Sequence, residues 1–226
     1  MNQIISFFEM KIKKNSALLI LFVLTCIASN KALGQRSFEG ILKYKVSIVD
    51  TSLREMFPDR VMTIYTNDTL VRIEVMNDQL GLQTTIRHME MNKSYLLLDL
   101  GSRKFAIQTD LSTDSTKSKP YAIDYKCGRK KIQGLKTKKA LVYREDLKEN
   151  QEIYFAPQLK PEILNIYDGI KGLPIEYVLS SADGLMKYEL MEINDMSGLR
   201  DYFGIPSDFK RVTFDEFVKE MKQEDN

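Results

Sequence analysis

Beyond residue 40 the apolar side chains recur at every second position along most of the chain. Leu42, Tyr44, Val46 and Ile48 interleave with Lys43, Lys45 and Ser47, and Val71, Ile73 and Val75 interleave with Arg72, Glu74 and Met76. Successive side chains of a strand point to opposite faces, so this period builds strands with one buried and one wet side. Further strands are expected at Val61 to Thr66, Gln83 to Met89, Ser94 to Leu100, Lys104 to Thr109, Tyr121 to Lys126, Lys138 to Tyr143, Glu152 to Phe155, Ile175 to Ser180 and Leu185 to Ile193. Asn67-Asp68, Asn77-Asp78, Gly101-Ser102, Gly134 and Asp183-Gly184 supply the turns between them. Such close spacing leaves no room for the crossover helices that parallel neighbours need. The expected fold is therefore mainly β, with one antiparallel sheet.

Two segments break the alternation. Ile163, Ile166, Tyr167 and Ile170 stand at helical spacing and predict a short helix near 161–170, closed by Gly172. Thr213-Phe-Asp-Glu216 is a capping box, in which hydroxyl and carboxylate each satisfy a backbone N–H that the first helical turn leaves unpaired. It predicts a C-terminal helix at about 214–222, docking through Phe214, Phe217, Val218 and Met221. Leu111 to Lys119, rich in Ser and Thr, reads as a loop.

The N-terminus has a different character. Lys11, Lys13 and Lys14 precede the apolar run Ala17 to Ala28, the layout of a secretory signal peptide. The run falls short of the roughly 20 apolar residues that a spanning helix needs. Ala32 and Gly34 set small residues before a cut at Gln35, so residues 1–34 are expected to leave as a leader. Met10 makes a more ordinary start than Met1, because Phe7, Phe8 and Glu9 would otherwise precede the lysines. Val23-Leu-Thr-Cys26 outlines a lipidation site, but Thr25 fits poorly before the cysteine, and cleavage at Gln35 is favoured. The leader takes four lysines and one glutamate with it, so 33 basic and 31 acidic groups become 29 and 30 in residues 35–226. A near-neutral exported domain is not built for nucleic acid. With Cys127 as its sole cysteine it has no internal disulfide and must stand on its core, and no membrane span is expected in it.

Chemistry is sparse in this chain. Its one histidine, His88, sits in a strand pattern and reads as a solvent-facing residue, which leaves no His-rich or Cys-rich metal site. No phosphate loop or nucleophile elbow is present, so neither a cofactor nor catalysis is expected. Asp68-Thr69-Leu70 and Asp114-Ser115-Thr116 have the form of short O-glycosylation sequons. Cys127 lies among Lys126, Arg129, Lys130 and Lys131, a setting that would activate an exposed thiol; the plainer alternative is an inert cysteine in a sheet. The most uneven stretch is Lys126 to Lys139. It holds seven cations (Lys126, Arg129, Lys130, Lys131, Lys136, Lys138 and Lys139) and no acid. Lysines on a sheet edge prevent unwanted strand pairing, and the same cluster would also suit an anionic envelope partner. Met62, Met76, Met89, Met91, Met186, Met191 and Met196 lie in or near strands, as core filler or as the adaptable lining of an apolar site.

Several short elements carry a resemblance. Phe38-Glu-Gly-Ile41, Ile132-Gln-Gly134 before Lys-Lys-Ala-Leu-Val, Ile170-Lys-Gly-Leu-Pro174 before Ile-Glu-Tyr, and Phe203-Gly-Ile-Pro-Ser-Asp-Phe-Lys210 resemble an uncharacterised family of bacterial envelope domains. That family is similar to the LolA-like lipoprotein carriers in fold, and in style to the family called GLPGLI, three of whose six letters match at Gly172-Leu-Pro174. The resemblance implies a curved antiparallel half-barrel outside the cytoplasm, with a helix or loops on its concave side, and it implies no catalytic residues. Members often carry a cysteine where Thr137 stands here. The leading expectation is a non-enzymatic periplasmic or outer-envelope protein that binds an apolar or amphiphilic ligand, such as a lipid, on the concave face. The alternative is a structural or interaction protein that meets anionic envelope material through the lysine-rich hairpin.

Overall fold

The computed structural model describes residues 35–77, 81–110, 121–145, 147–181 and 183–223. Met10, Cys26 and the rest of the expected leader lie outside these residues, as do the loop at Leu111 to Lys119 and the second sequon. The strands are β1 (Glu39–Ile48), β2 (Arg60–Asn67), β3 (Leu70–Asn77), β4 (Gly81–His88), β5 (Lys93–Asp99), β6 (Lys104–Asp110), β7 (Ile123–Ile132), β8 (Leu135–Arg144), β9 (Glu149–Ala156), β10 (Leu173–Ser181), β11 (Gly184–Asp195) and β12 (Lys210–Thr213). They form one open sheet in the order β12-β6-β5-β4-β3-β2-β1-β11-β10-β9-β8-β7. Neighbours are antiparallel except at one end, where β12 runs parallel to β6. The sheet is therefore mixed, and the wholly antiparallel expectation is corrected at that edge. Among the described residues no helix is long and apolar enough to cross a membrane.

The alternation sorts the faces as physical chemistry requires. Leu42, Tyr44, Val46 and Ile48 are all buried, and register carries the same face through Met62 and Ile64 of β2 to Val71 of β3. Against this face lies a strap, residues 157–172, whose Leu159, Ile163, Leu164, Tyr167 and Ile170 are buried. The predicted helix is reduced to one 3₁₀ turn, Pro161–Ile163. Asn165 then takes φ 52°, a left-handed conformation that ends any helical run. The helical spacing of the four apolar residues records an irregular chain laid into a curved trough.

Curvature follows from what the strap touches. Arg87 of β4 donates to the carbonyl of Leu164 at 3.1 Å, and the Tyr125 hydroxyl of β7 donates to that of Gly169 at 3.1 Å. In a flat sheet, eight strand spacings would part β4 from β7 by roughly 38 Å, whereas residues 164 and 169 are at most about 18 Å apart. Strand side chains stand roughly perpendicular to the sheet and so cannot make up the difference sideways; the sheet curls around the strap, which makes this the concave face.

After β11 the chain passes over the convex face. The Glu39 carboxylate accepts from the amides of Gly198 (3.0 Å) and Leu199 (3.3 Å), opening a 3₁₀ turn, Leu199–Phe203. Tyr202 stacks on Tyr65 with centroids 5.0 Å apart, and Ile205 and Phe209 cover Ile86, Leu97 and Ala106. This crossing delivers the chain to the far edge as β12. Helix α1 (Phe214–Lys222) then folds onto the concave side, Phe217 meeting Phe105 edge-on at 5.3 Å. The capping box is present in both directions, Glu216 N–H to the Thr213 hydroxyl at 3.3 Å and Thr213 N–H to the Glu216 carboxylate at 2.7 Å. Phe214 departs from expectation. It is exposed and does not dock, while Phe217, Val218 and Met221 are half-buried.

Candidate functional site

The concave face was the first place expected to hold a ligand, and the chain's own strap occupies its centre. Tyr177 stacks flat on Tyr188 at 4.8 Å and meets Tyr44 and Tyr167 edge-on at 6.0 and 6.3 Å. The hydroxyls of Tyr44 and Tyr167 donate to the carbonyls of Pro174 (2.8 Å) and Val178 (2.9 Å). Burial raises the pKa of all four phenols, so they stay protonated across the physiological range and serve as packing. Arg87 of β4 is buried beneath the strap and has no ion pair with a described residue. Its guanidinium donates to the carbonyls of Glu162, Ile163 and Leu164, and burial lowers its pKa to about 10, leaving it charged. It closes the C-terminal end of the strap's 3₁₀ turn, where carbonyls would otherwise lack donors.

The methionines do not converge on a lining either. Met62 and Met186 are core, Met89 packs beside it, and Met76, Met91, Met191 and Met196 are exposed. His88, expected in solvent, is half-buried and lies edge-on to Tyr95 at 6.2 Å; burial and the nearby Lys93 lower its pKa. Thr69 of the first sequon is half-buried, with its hydroxyl donating to Asn67 at 3.3 Å.

The lysine-rich run becomes a hairpin at the opposite end of the sheet from α1. The expected strand ended at Lys126, but β7 continues to Ile132 and returns as β8 through Gln133 and Gly134. Both turn residues have positive φ, 46° and 79°, the geometry of a two-residue turn whose twist matches the strands it joins. A bulge at Cys127 and Gly128 separates Lys126, opposite Lys139, from Arg129, opposite Lys138. A Cβ on Gly128 would stand 3.0 Å from that of Lys139, so glycine allows the close approach.

This register divides the seven cations in two. Lys126 pairs with Asp124, Lys130 with Glu176, and Lys139 with Glu152. Lys130 also lies 3.7 Å above the ring of Tyr154. Lys139 holds the Glu152 carboxyl below the usual range, and Glu152 raises Lys139 in return. The other four form a block. Arg129 faces Lys138 and Lys131 faces Lys136 across the strands, and alternation puts all four on one side of the hairpin. All are exposed, and none has an ion pair with a described residue. Opposed residues in such a ladder have Cβ atoms roughly 5 Å apart, where like charges destabilise. Thr137, on the other side, is buried and its hydroxyl donates to the carbonyl of Lys130 at 2.8 Å, tying the two strands together. Cys127 is exposed and unbridged. Neighbouring lysines in the sequence thus go to opposite faces, a division the run itself did not reveal.

No family model matches the chain, and neither does any curated protein sequence. Among solved structures, that of PNGF-II superposes with a TM-score of 0.51 at 13% identity, covering 81% of this chain and 32% of that one. The crystal structure of MucB in complex with MucA(peri) gives a TM-score of 0.39 at 14% identity, covering 80% of this chain and 57% of that one. The chain therefore spans about a third of the PNGF-II chain, and the likeness between them is one of fold alone.

Proposed function

We propose that this is an exported, non-catalytic interaction protein of the cell envelope that meets an anionic partner through Arg129, Lys131, Lys136 and Lys138. One observation carries the reading: two cross-strand pairs of like charge stand on one exposed face, and none of the four has an ion pair with a described residue. Edge protection explains lysines on β7 itself. It does not explain Lys138, which is paired on both sides, to Arg129 and to Phe155. A position inside the sheet has no edge to guard, so the charge there serves something outside the fold. Such a block attracts anions by its summed field, and salt weakens the attraction.

The expectation of an apolar ligand on the concave face has weaker support, since Leu159, Ile163, Leu164, Tyr167 and Ile170 of the strap fill the trough that a lipid would need. Export rests on the leader, and the mass of the mature N-terminus tests it: a chain that still begins at Met1 or Met10 would contradict it. For the hairpin, the fourfold variant Arg129→Gln, Lys131→Gln, Lys136→Gln, Lys138→Gln is compared with the native protein on poly-L-glutamate and on vesicles containing phosphatidylglycerol. Native protein should bind at least one of these at low salt and release it as salt rises, and the variant should bind neither. Equal binding by the variant would refute the assignment. Native mass spectrometry showing a co-purified lipid would restore the concave face.

A further inference from the structure

Resting on that reading of the hairpin, we infer that the outer edge of β7 accepts an acidic peptide in extended conformation, added as a thirteenth strand. Among the described residues β7 is the last strand of the sheet and is bonded only to β8. Along its ten residues, alternate backbone N–H and C=O groups therefore face outward without ladder partners. A peptide can satisfy those groups, whereas a lipid headgroup or a sugar sulfate would use the cations and leave the backbone unpaired.

The side chains define what kind of strand fits. Arg129 and Lys131 belong to β7, so an incoming strand places its own residues directly opposite them, with Lys136 and Lys138 one strand further in on the same face. Acidic residues at alternate positions would meet Arg129 and Lys131 directly. The intervening positions fall on the side of Lys130, whose charge Glu176 already answers, and of half-buried Ile132. Neutral or apolar residues suit that side. A second copy of β7 would set cation against cation, so the same charges that admit an acidic strand exclude self-pairing. The bulge at Cys127 and Gly128 interrupts the ladder, which sets the recognised stretch at Arg129 to Ile132.

The test uses a labelled, end-blocked peptide, Glu-Thr-Glu-Val-Glu-Thr, and fluorescence anisotropy at low salt. A second peptide has the same sequence with alternate amides N-methylated, which keeps its charge and removes donors to β7. The native protein should bind the parent peptide, and N-methylation on the bonding edge should weaken binding at least roughly tenfold. Arg129→Glu with Lys131→Glu should weaken the parent peptide by a similar factor while the thermal transition stays at or above that of the native protein, since each new acid faces a lysine. Equal affinity for parent and methylated peptides would overturn strand addition. So would failure to bind the peptide by a protein that still binds anionic vesicles; in both cases the anionic-partner reading survives. Loss of every anionic probe would overturn both.

Discussion

The two ends of the sheet solve the same problem by opposite means. At one end β12 has four residues, and α1 follows it at once to fold back over Phe105, so the edge is short and covered. At the other, β7 has ten residues, a bulge and cations, and among the described residues no helix or strand lies beyond it in the sheet. Open edges invite pairing, and charge is one of the devices that blunt them. The first end is closed by apolar packing and is therefore a matter of stability. The second is closed by repulsion, which selects among partners. Stability lost to repulsion there is consistent with a surface kept for binding.

The sharpest way to break this contrast is at the packed end. Phe105→Ala removes a fully buried ring from beneath both β12 and α1 and should cost about 3–5 kcal/mol in a urea titration. A cost near zero would mean that α1 does not close the edge. Thr213→Ala deletes the helix cap and should cost about 1 kcal/mol, with reduced helical signal confined to the C-terminus. At the charged end the sign reverses. Lys136→Glu puts an acid opposite Lys131 and should stabilise the fold by about 0.2–1 kcal/mol. A loss of stability on that change would show that the four cations are already satisfied in the native protein.

Acid should separate the two ends by the smallest margin. Hydrogen bonds from the Thr213 backbone and hydroxyl hold the Glu216 carboxyl below the ordinary glutamate range. A depressed carboxylate stabilises the fold in full above its unfolded pKa and ceases to do so as pH falls through the folded one. The start of α1 should therefore loosen only at pH values below the ordinary glutamate range, as measured by hydrogen exchange of the first-turn amides. Loosening of α1 near neutral pH would contradict this assignment.

Much of this architecture is legible in the chain. The buried face of β1 is written in Leu42, Tyr44, Val46 and Ile48, and the cap of α1 in Thr213 and Glu216, because both depend on side chains near one another in sequence. Long-range choices are not written that way. β12 escapes notice because only Val212 of its four residues is buried and its partner β6 lies about a hundred residues away. The strap imitates a helix because a chain crossing a curved trough also buries residues at intervals of three and four. The cationic run is plain in the sequence, yet its division depends on the two-residue turn at Gln133-Gly134. That turn sets Arg129 against Lys138 and sends Lys130 and Lys139 to acids on the other side.

We propose that the cationic hairpin, and not the trough that the strap fills, is where this protein meets its partner. Amide hydrogen exchange with and without poly-L-glutamate at low salt tests it most directly. Added protection is expected along Arg129–Ile132 and Leu135–Lys138, lost when Arg129, Lys131, Lys136 and Lys138 are replaced by glutamine. Protection that appears on the strap at 157–172 instead, or an unchanged hairpin in the presence of the polyanion, would contradict it.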